Sequence, residues 1–133
     1  MASFKFDLVS PERLLISEDV ESVIIPATEG EMTVLPNHAP VMTTIKPGIV
    51  TVKPVSGAEQ RYVVYGGFAD ILPGGCTLLA EEAVALSDAR RADLDIRIQS
   101  ARESLTTISD DEGRIKIMTF VEQMTTLQAT LTS

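Results

Sequence analysis

Lys46-Pro47-Gly48-Ile49-Val50-Thr51-Val52-Lys53-Pro54-Val55-Ser56-Gly57 reads as a turn, a short β-prone run and a second turn. The run is rich in β-branched side chains, which pack well on a pleated surface. Pro-Gly on one side and Ser-Gly on the other punctuate it. The same unit recurs in both directions. Upstream lie the turns Ser10-Pro11-Glu12, Thr28-Glu29-Gly30 and Leu35-Pro36-Asn37, and downstream Gly66-Gly67 and Pro73-Gly74-Gly75. Between them, Phe4, Phe6 and Leu8 alternate with Lys5 and Asp7, and Val23-Ile24-Ile25, Met32-Thr33-Val34, Tyr62-Val63-Val64-Tyr65 and Thr77-Leu78-Leu79 form further runs. Turn signals at intervals of about 8–12 residues predict an all-β sandwich or barrel. Most connections are too short for the crossover helix that parallel strands need, so the pairing is expected to be mainly antiparallel.

The pattern changes near residue 86. All seven prolines and seven of the eight glycines precede residue 76, leaving only Gly113 beyond it. Residues excluded from helix interiors are thus confined to the first part. From Ser87 the apolar period becomes helical. Leu94, Ile98, Ala101, Leu105 and Ile108 make one stripe, and Ile117, Phe120, Met124, Leu127 and Leu131 make a second. Ser87 or Asp88 is expected to cap the first helix, with Asp93 and Arg97 as a pair one turn apart. Ser109 and Glu112 stand at capping-box spacing for the second helix, although Gly113 in its first turn weakens that reading. The expected fold is mainly β plus α: an antiparallel β-sandwich over 1–86 followed by an antiparallel two-helix hairpin over 87–133. Two helices cannot enclose each other's apolar faces, so the hairpin is expected to lean on the sandwich or on a partner.

Charge and composition exclude several functions. Apolar residues make up 44% of the 133, enough for a real core. The net charge of −8 argues against nucleic acid and against adhesion to an anionic membrane surface. No run approaches the roughly 18 apolar residues that cross a bilayer, so no direct membrane insertion is expected. The start Met1-Ala2-Ser3-Phe4-Lys5-Phe6-Asp7 has neither a signal peptide's apolar stretch nor a presequence's arginines. The single Cys76 fits a reducing compartment and a buried apolar role. His38 is the lone histidine, too few ligands for a histidine-cysteine metal site, and no G-x-S-x-G pattern offers a nucleophile. The glycine pairs lack the Lys-Ser/Thr of a phosphate loop. The acids Glu29/Glu31, Glu81/Glu82 and Asp110/Asp111/Glu112 read as solvated turns. No catalytic residue, metal site or cofactor is expected.

One stretch calls for more than turn chemistry. Glu29-Gly30-Glu31-Met32-Thr33-Val34-Leu35-Pro36-Asn37-His38-Ala39-Pro40, running on to Lys46-Pro47-Gly48, is similar to the E-G…P-x-H-A-P…K-P-G signature of epsilon subunits of F-type ATP synthases. Tyr65-Gly66-Gly67-Phe68-Ala69 with Pro73-Gly74 resembles that family's later turns. Asp88-Ala89-Arg90-Arg91-Ala92 resembles its D-x-x-R-A helix start. The matches keep the family's order and span essentially the whole chain.

The resemblance implies a non-catalytic rotor part, at the cytoplasmic face of the bacterial inner membrane, coupling the gamma shaft and the catalytic head to the membrane c-ring. It implies that Glu29 and Glu31 meet the c-ring, with a solvated turn as the competing reading for each. Ser10, His38 and Thr43 fall on positions that face the gamma subunit, and for His38 a brace of the turn between Pro36 and Pro40 is the alternative. In many relatives the hairpin reaches the alpha and beta subunits and inhibits hydrolysis, and in some it binds ATP. Here Asp88, Arg91 and Ala92 match the nucleotide motif, but the second helix has only Arg114 and Lys116 as bases and none from 117 to 133. Asp88 is therefore expected to cap a helix. The rival to the whole reading is a stand-alone interaction module whose hairpin docks a partner, separable by co-purification with gamma.

Overall fold

A computed structural model describes residues 2–131. The chain divides into two compact units, Met1–Leu86 and Ser87–Ser133. The first unit holds nine strands: β1 Phe4–Ser10, β2 Arg13–Ala27, β3 Gly30–Val34, β4 Val41–Ile45, β5 Gly48–Pro54, β6 Gln60–Val64, β7 Gly67–Leu72, β8 Gly75–Ala80 and β9 Ala83–Ala85. The second holds α1 Arg91–Ser104 and α2 Asp111–Thr130. Sandwich and helix pair are as the two sequence patterns led one to expect.

One strand organises the first unit. β2 is 15 residues long. Its first half pairs with β1, and its second half lies between β3 and β5, with a single bridge from Ala27 to Ile45 of β4. Glu21 is skipped in the pairing with β5, and Leu15 in the pairing with β1. Such bulges bend and twist a strand, which lets β2 serve β1-β8-β7-β4 on one side and β5-β6-β9 on the other. Every pairing is antiparallel except β1 with β8.

Side chains alternate across the strands. Phe4, Phe6 and Leu8 of β1 turn inward with Ile16 and Val20 of β2, Val50 and Val52 of β5, Ile71 of β7 and Leu78 of β8. Cys76 is buried among them, and burial, then Asp70 and Asp7, pushes its thiol up to about 12. It is a core residue, not a reactive thiol. Gly67 has φ +139°, and a Cβ there would run into the Leu79 carbonyl and Ala80 Cα. The Gly66-Gly67 turn thus serves close backbone approach.

In the second unit Gln128, near the end of α2, bonds the Arg91 carbonyl at the start of α1, and Arg114 bonds the Leu105 carbonyl at the other end. The helices are therefore antiparallel. Leu94 and Ile98 of α1 and Met124 and Leu127 of α2 are buried, as the stripes require. Ala101, Leu105 and Ile108 are half-buried, and α1 ends before the last two.

Both expected caps are corrected. Ser87 and Asp88 do not cap α1: Leu86–Asp88 form a 3-10 turn, and the cap residue is Arg90, without a side-chain cap bond. The extended backbone at Arg90 (φ −125°, ψ 140°) separates turn from helix and shifts the start past both polar residues. At α2 the cap is Asp110, not Ser109, its carboxylate accepting from Gly113 N–H at 2.9 Å. A Cβ on Gly113 would sit 2.8 Å from that carboxylate. The glycine that weakened the expected cap is what admits the observed one.

Leu8 and Val34 are fully buried. Truncating either to alanine should destabilise by about 2–4 kcal/mol, with Val34 at the lower end. Denaturant melts check this; a loss below about 0.5 kcal/mol is what outer-face positions give.

Candidate interaction surfaces

The acidic turn is the tip of the β2–β3 hairpin. Ala27 pairs with Gly30, leaving Thr28-Glu29 as a two-residue loop, and Gly30 takes φ +136°. The tip is pinned from β4, because both the N–H and the hydroxyl of Thr28 donate to the Thr44 carbonyl at 3.0 Å. Lys46 N–H closes on the Pro26 carbonyl at 3.0 Å. Glu31 faces away from the core, alternating with half-buried Met32 and buried Val34. Glu29 and Glu31 are both exposed, so the hairpin presents two carboxylates on a fixed backbone.

His38 lies in the loop between β3 and β4. Asn37 adopts φ 64°, and its N–H reaches the Pro73 carbonyl of the β7–β8 turn at 3.0 Å. His38 N–H bonds the Leu35 carbonyl at 3.2 Å, and ring Nδ1 lies 2.8 Å from the Ala39 carbonyl. A carbonyl can only accept, so Nδ1 carries the proton and braces the Pro36–Pro40 segment, leaving Nε2 to accept when the ring is neutral.

Ser10, His38 and Thr43 all belong to the β1-β8-β7-β4 side but do not converge. Ser10 closes the β1–β2 turn, its hydroxyl donating to the Arg13 carbonyl at 3.3 Å. It lines a cleft of about 400 Å³ with Pro11, Glu12, Arg13 and the Glu81–Val84 segment. Thr43 is three strands away, about 14 Å at the usual spacing. It is half-buried opposite Ala69, in the inward row with Val41 and Ile45. His38 follows Asn37, which is tied to the turn at the opposite end of β7 and β8 from Gly67.

The outer face carries a feature the sequence reading missed. Phe68 pairs with Leu79, Leu79 with Val9, and Val9 with Leu14. These residues make one apolar row across four strands, with Phe68 42%, Leu79 39% and Leu14 57% exposed. Met42, 69% exposed, stands in the neighbouring row, which is otherwise polar: Asp70, Thr77, Asp7 and Ser17. The signal was available. Leu8-Val9, Leu14-Leu15 and Leu78-Leu79 are adjacent apolar pairs within strands, and two adjacent positions point to opposite faces.

Asp88, Arg91 and Ala92 lie on one exposed segment running from the 3-10 turn into α1. The α2 residue that meets this segment is Gln128. Arg114 and Lys116 lie in the opposite end of α2, where Arg114 is bound to the Leu105 carbonyl at 2.8 Å. The antiparallel packing therefore carries the bases of α2 away from the partial nucleotide motif. Among the described residues no group of three or more His, Cys, Asp or Glu is arranged to hold a metal ion.

Comparison with known proteins identifies the family and the fold. Residues 3–86 match the family described as ATP synthase, Delta/Epsilon chain, beta-sandwich domain. The chain is 64% identical over 129 residues to an ATP synthase epsilon chain of Mesorhizobium japonicum, covering 97% of this chain and 96% of the relative. It is 57% identical over 126 residues to that of Rhizobium johnstonii, covering 95% and 93%. Among solved structures, it resembles a chain of the Euglena gracilis mitochondrial ATP synthase (OSCP, F1 and c-ring), with TM-score 0.75, 29% identity and coverage of 99% and 83%. A chain of the Tetrahymena thermophila central stalk and c-ring shares the fold, with TM-score 0.67, 10% identity and coverage of 94% and 96%. The chain belongs to the ATP synthase epsilon-chain family, whose members are non-catalytic parts of that complex.

Proposed function

We propose that the chain couples the gamma shaft and catalytic head of a proton-translocating F-type ATP synthase to the membrane c-ring while ATP is made. The observation that carries this is the exposed apolar row Phe68, Leu79, Val9 and Leu14 on the sandwich. An apolar row of that kind suits a permanent assembly surface. The gamma subunit is its occupant in this reading, with Ser10 and His38 at separate points of the same side, while Thr43 turns inward, away from that face. The competing reading of His38 as a turn brace is favoured by its bond to Ala39.

Glu29 and Glu31 are the proposed c-ring contact. Their support is the pinned hairpin, which offers carboxylates without loop entropy to lose on docking. Carboxylates fit basic or amide groups on the ring. The chain is then peripheral, on the cytoplasmic face of a bacterial inner membrane. No described helix is long and apolar enough to cross a membrane. For the hairpin over 87–133 we propose at most a weak regulatory contact with the alpha and beta subunits, because α2 lacks bases beyond Lys116. The same geometry disfavours ATP at Asp88, Arg91 and Ala92, since triphosphate recognition depends on charge-assisted donors.

Leu79→Asp should cut capture by immobilised gamma subunit about tenfold or more while its melt stays within about 0.5 kcal/mol of the parent, the usual range for a surface change. Undiminished capture would remove the apolar row from the shaft interface, and no capture of the parent chain would favour the stand-alone module.

Glu31→Lys should assemble normally and lower ATP-driven proton pumping in membrane vesicles. Equal pumping at equal assembly would leave the turn merely solvated.

Deleting 88–133 should change the hydrolysis rate of the reconstituted complex by well under tenfold. A tenfold rise, equivalent to about 1.4 kcal/mol of inhibition, would make the hairpin a true brake.

A further inference from the structure

The apolar row on the outer sheet face has carboxylates on both of its borders. Side chains on one face recur every second residue, so the row beside Phe68, Leu79 and Val9 holds Asp70, Thr77 and Asp7. Asp7 and Asp70 stand two strands apart, about 10 Å at the usual spacing. Both are half-buried, and neither takes part in an ion pair or a side-chain hydrogen bond among the described residues. Lys5, two residues from Asp7 along β1, stands opposite Asp19 in the β1–β2 pairing. On the other border Glu81 follows Leu79 by two residues. Its N–H bonds the Gly66 carbonyl at 2.9 Å, and a Cβ on Gly66 would lie 3.3 Å from its Oε2. The Glu81 carboxylate therefore sits over Gly66, at the Phe68 end of the row.

Size decides how far the row can act alone. From Phe68 to Leu14 it crosses four strands, about 14 Å, and it is one side-chain repeat wide, about 7 Å. That is on the order of 100 Å², against about 800 Å² per partner in a stable interface. A partner that covers the row to that extent also covers Asp7, Asp70 and Glu81, each one repeat away from it. A carboxylate shut off from water with nothing opposite it is costly. The field of Asp70 and Asp7 already reaches the core, where they add to the effect of burial in raising the Cys76 thiol. No base of the chain pairs with these two acids, so the occupant must bring one to each.

We propose that the gamma segment seated on this face presents basic side chains to Asp7 and Asp70, and a third to Glu81, around apolar ones that cover the row. This pairing rests on the reading of the face as the gamma interface. The charges set the speed and orientation of docking, and the apolar row sets how long the complex lasts.

Binding kinetics of the full chain on immobilised gamma subunit test it, at about 0.1 and 1 M salt, where the screening lengths are about 10 and 3 Å. The parent should associate about tenfold faster at the lower salt. Asp7→Asn combined with Asp70→Asn keeps the shape and removes the charge. It should slow association and weaken binding about tenfold at the lower salt and lose most of the salt dependence, with an unchanged melt. Where the double variant melts early, each single variant carries the test, at about threefold. Glu81→Gln should act in the same direction. Glu21→Gln combined with Glu59→Gln removes two charges elsewhere, where the acids pair with Lys53 and Arg61, and should bind as the parent does. Capture of the parent with kinetics that the Asp7 and Asp70 variants share at both salts overturns the basic pairing and leaves the gamma interface standing. Tighter binding by those variants overturns it too, because the carboxylates would then be unpaired in the complex. Equal slowing by the Glu21 and Glu59 variant overturns local pairing in favour of net charge. No capture of the parent overturns the gamma reading itself.

Discussion

The sandwich depends on β2 being one unbroken strand in two pairings. Val20 is the pivot: it pairs with Phe4 of β1 and with Pro54 of β5, and the register with β5 resumes only at Ser22. Without the extra residue at Glu21, β2 would have to choose between β1 and β5. A slip of one residue would turn Val20, Val23 and Ile25 outward, since side chains alternate with period two. The bulge and the inward apolar set thus fix one another. The hairpin tip follows from the same strand. Continued to Ala27, β2 delivers Thr28 to the Thr44 carbonyl and so fixes the direction in which Glu29 and Glu31 project.

Much of this was legible in the sequence, and what was not has a physical cause. The short runs around Val50, Val63 and Leu78 declare themselves because both neighbours and turns agree. β2 does not, because Ser17-Glu18-Asp19 places polar residues in its middle and its apolar residues divide between two pairings. The parallel contact of β1 with β8 joins segments some seventy residues apart, and periodicity carries no information about which strands meet. The helix pair was legible from its stripes. Its caps were missed by one to three residues because several polar residues in each connection qualify, and backbone geometry chooses among them.

The surfaces were only partly legible. Motif residues named Glu29, Glu31, Ser10, His38 and Thr43 one by one, but their separation over the sheet appears only with the register. Thr43 illustrates the gap. The resemblance sets it against the gamma subunit, yet its pairing with Ala69 puts it in the inward row. Conversely Leu79 and Phe68, both large and apolar, are outside. Exposure follows from strand parity, not from residue type, whenever both faces carry apolar side chains.

That parity bears on how the chain keeps a surface of this kind. Among the described residues none that is polar or charged is buried in the core, so the −8 net charge is carried by the surface and its partly buried margins. Charge of one sign disfavours self-association, because two copies brought face to face repel. The apolar row is flanked by Asp7 and Asp70 in the neighbouring row, which direct that repulsion at the patch itself. A second copy would bring its own pair of carboxylates against them, whereas a partner with basic or neutral groups at those points would not. The acidic flank therefore does for the outer row what charges on edge strands do for exposed sheet edges: it makes self-association through the apolar surface costly.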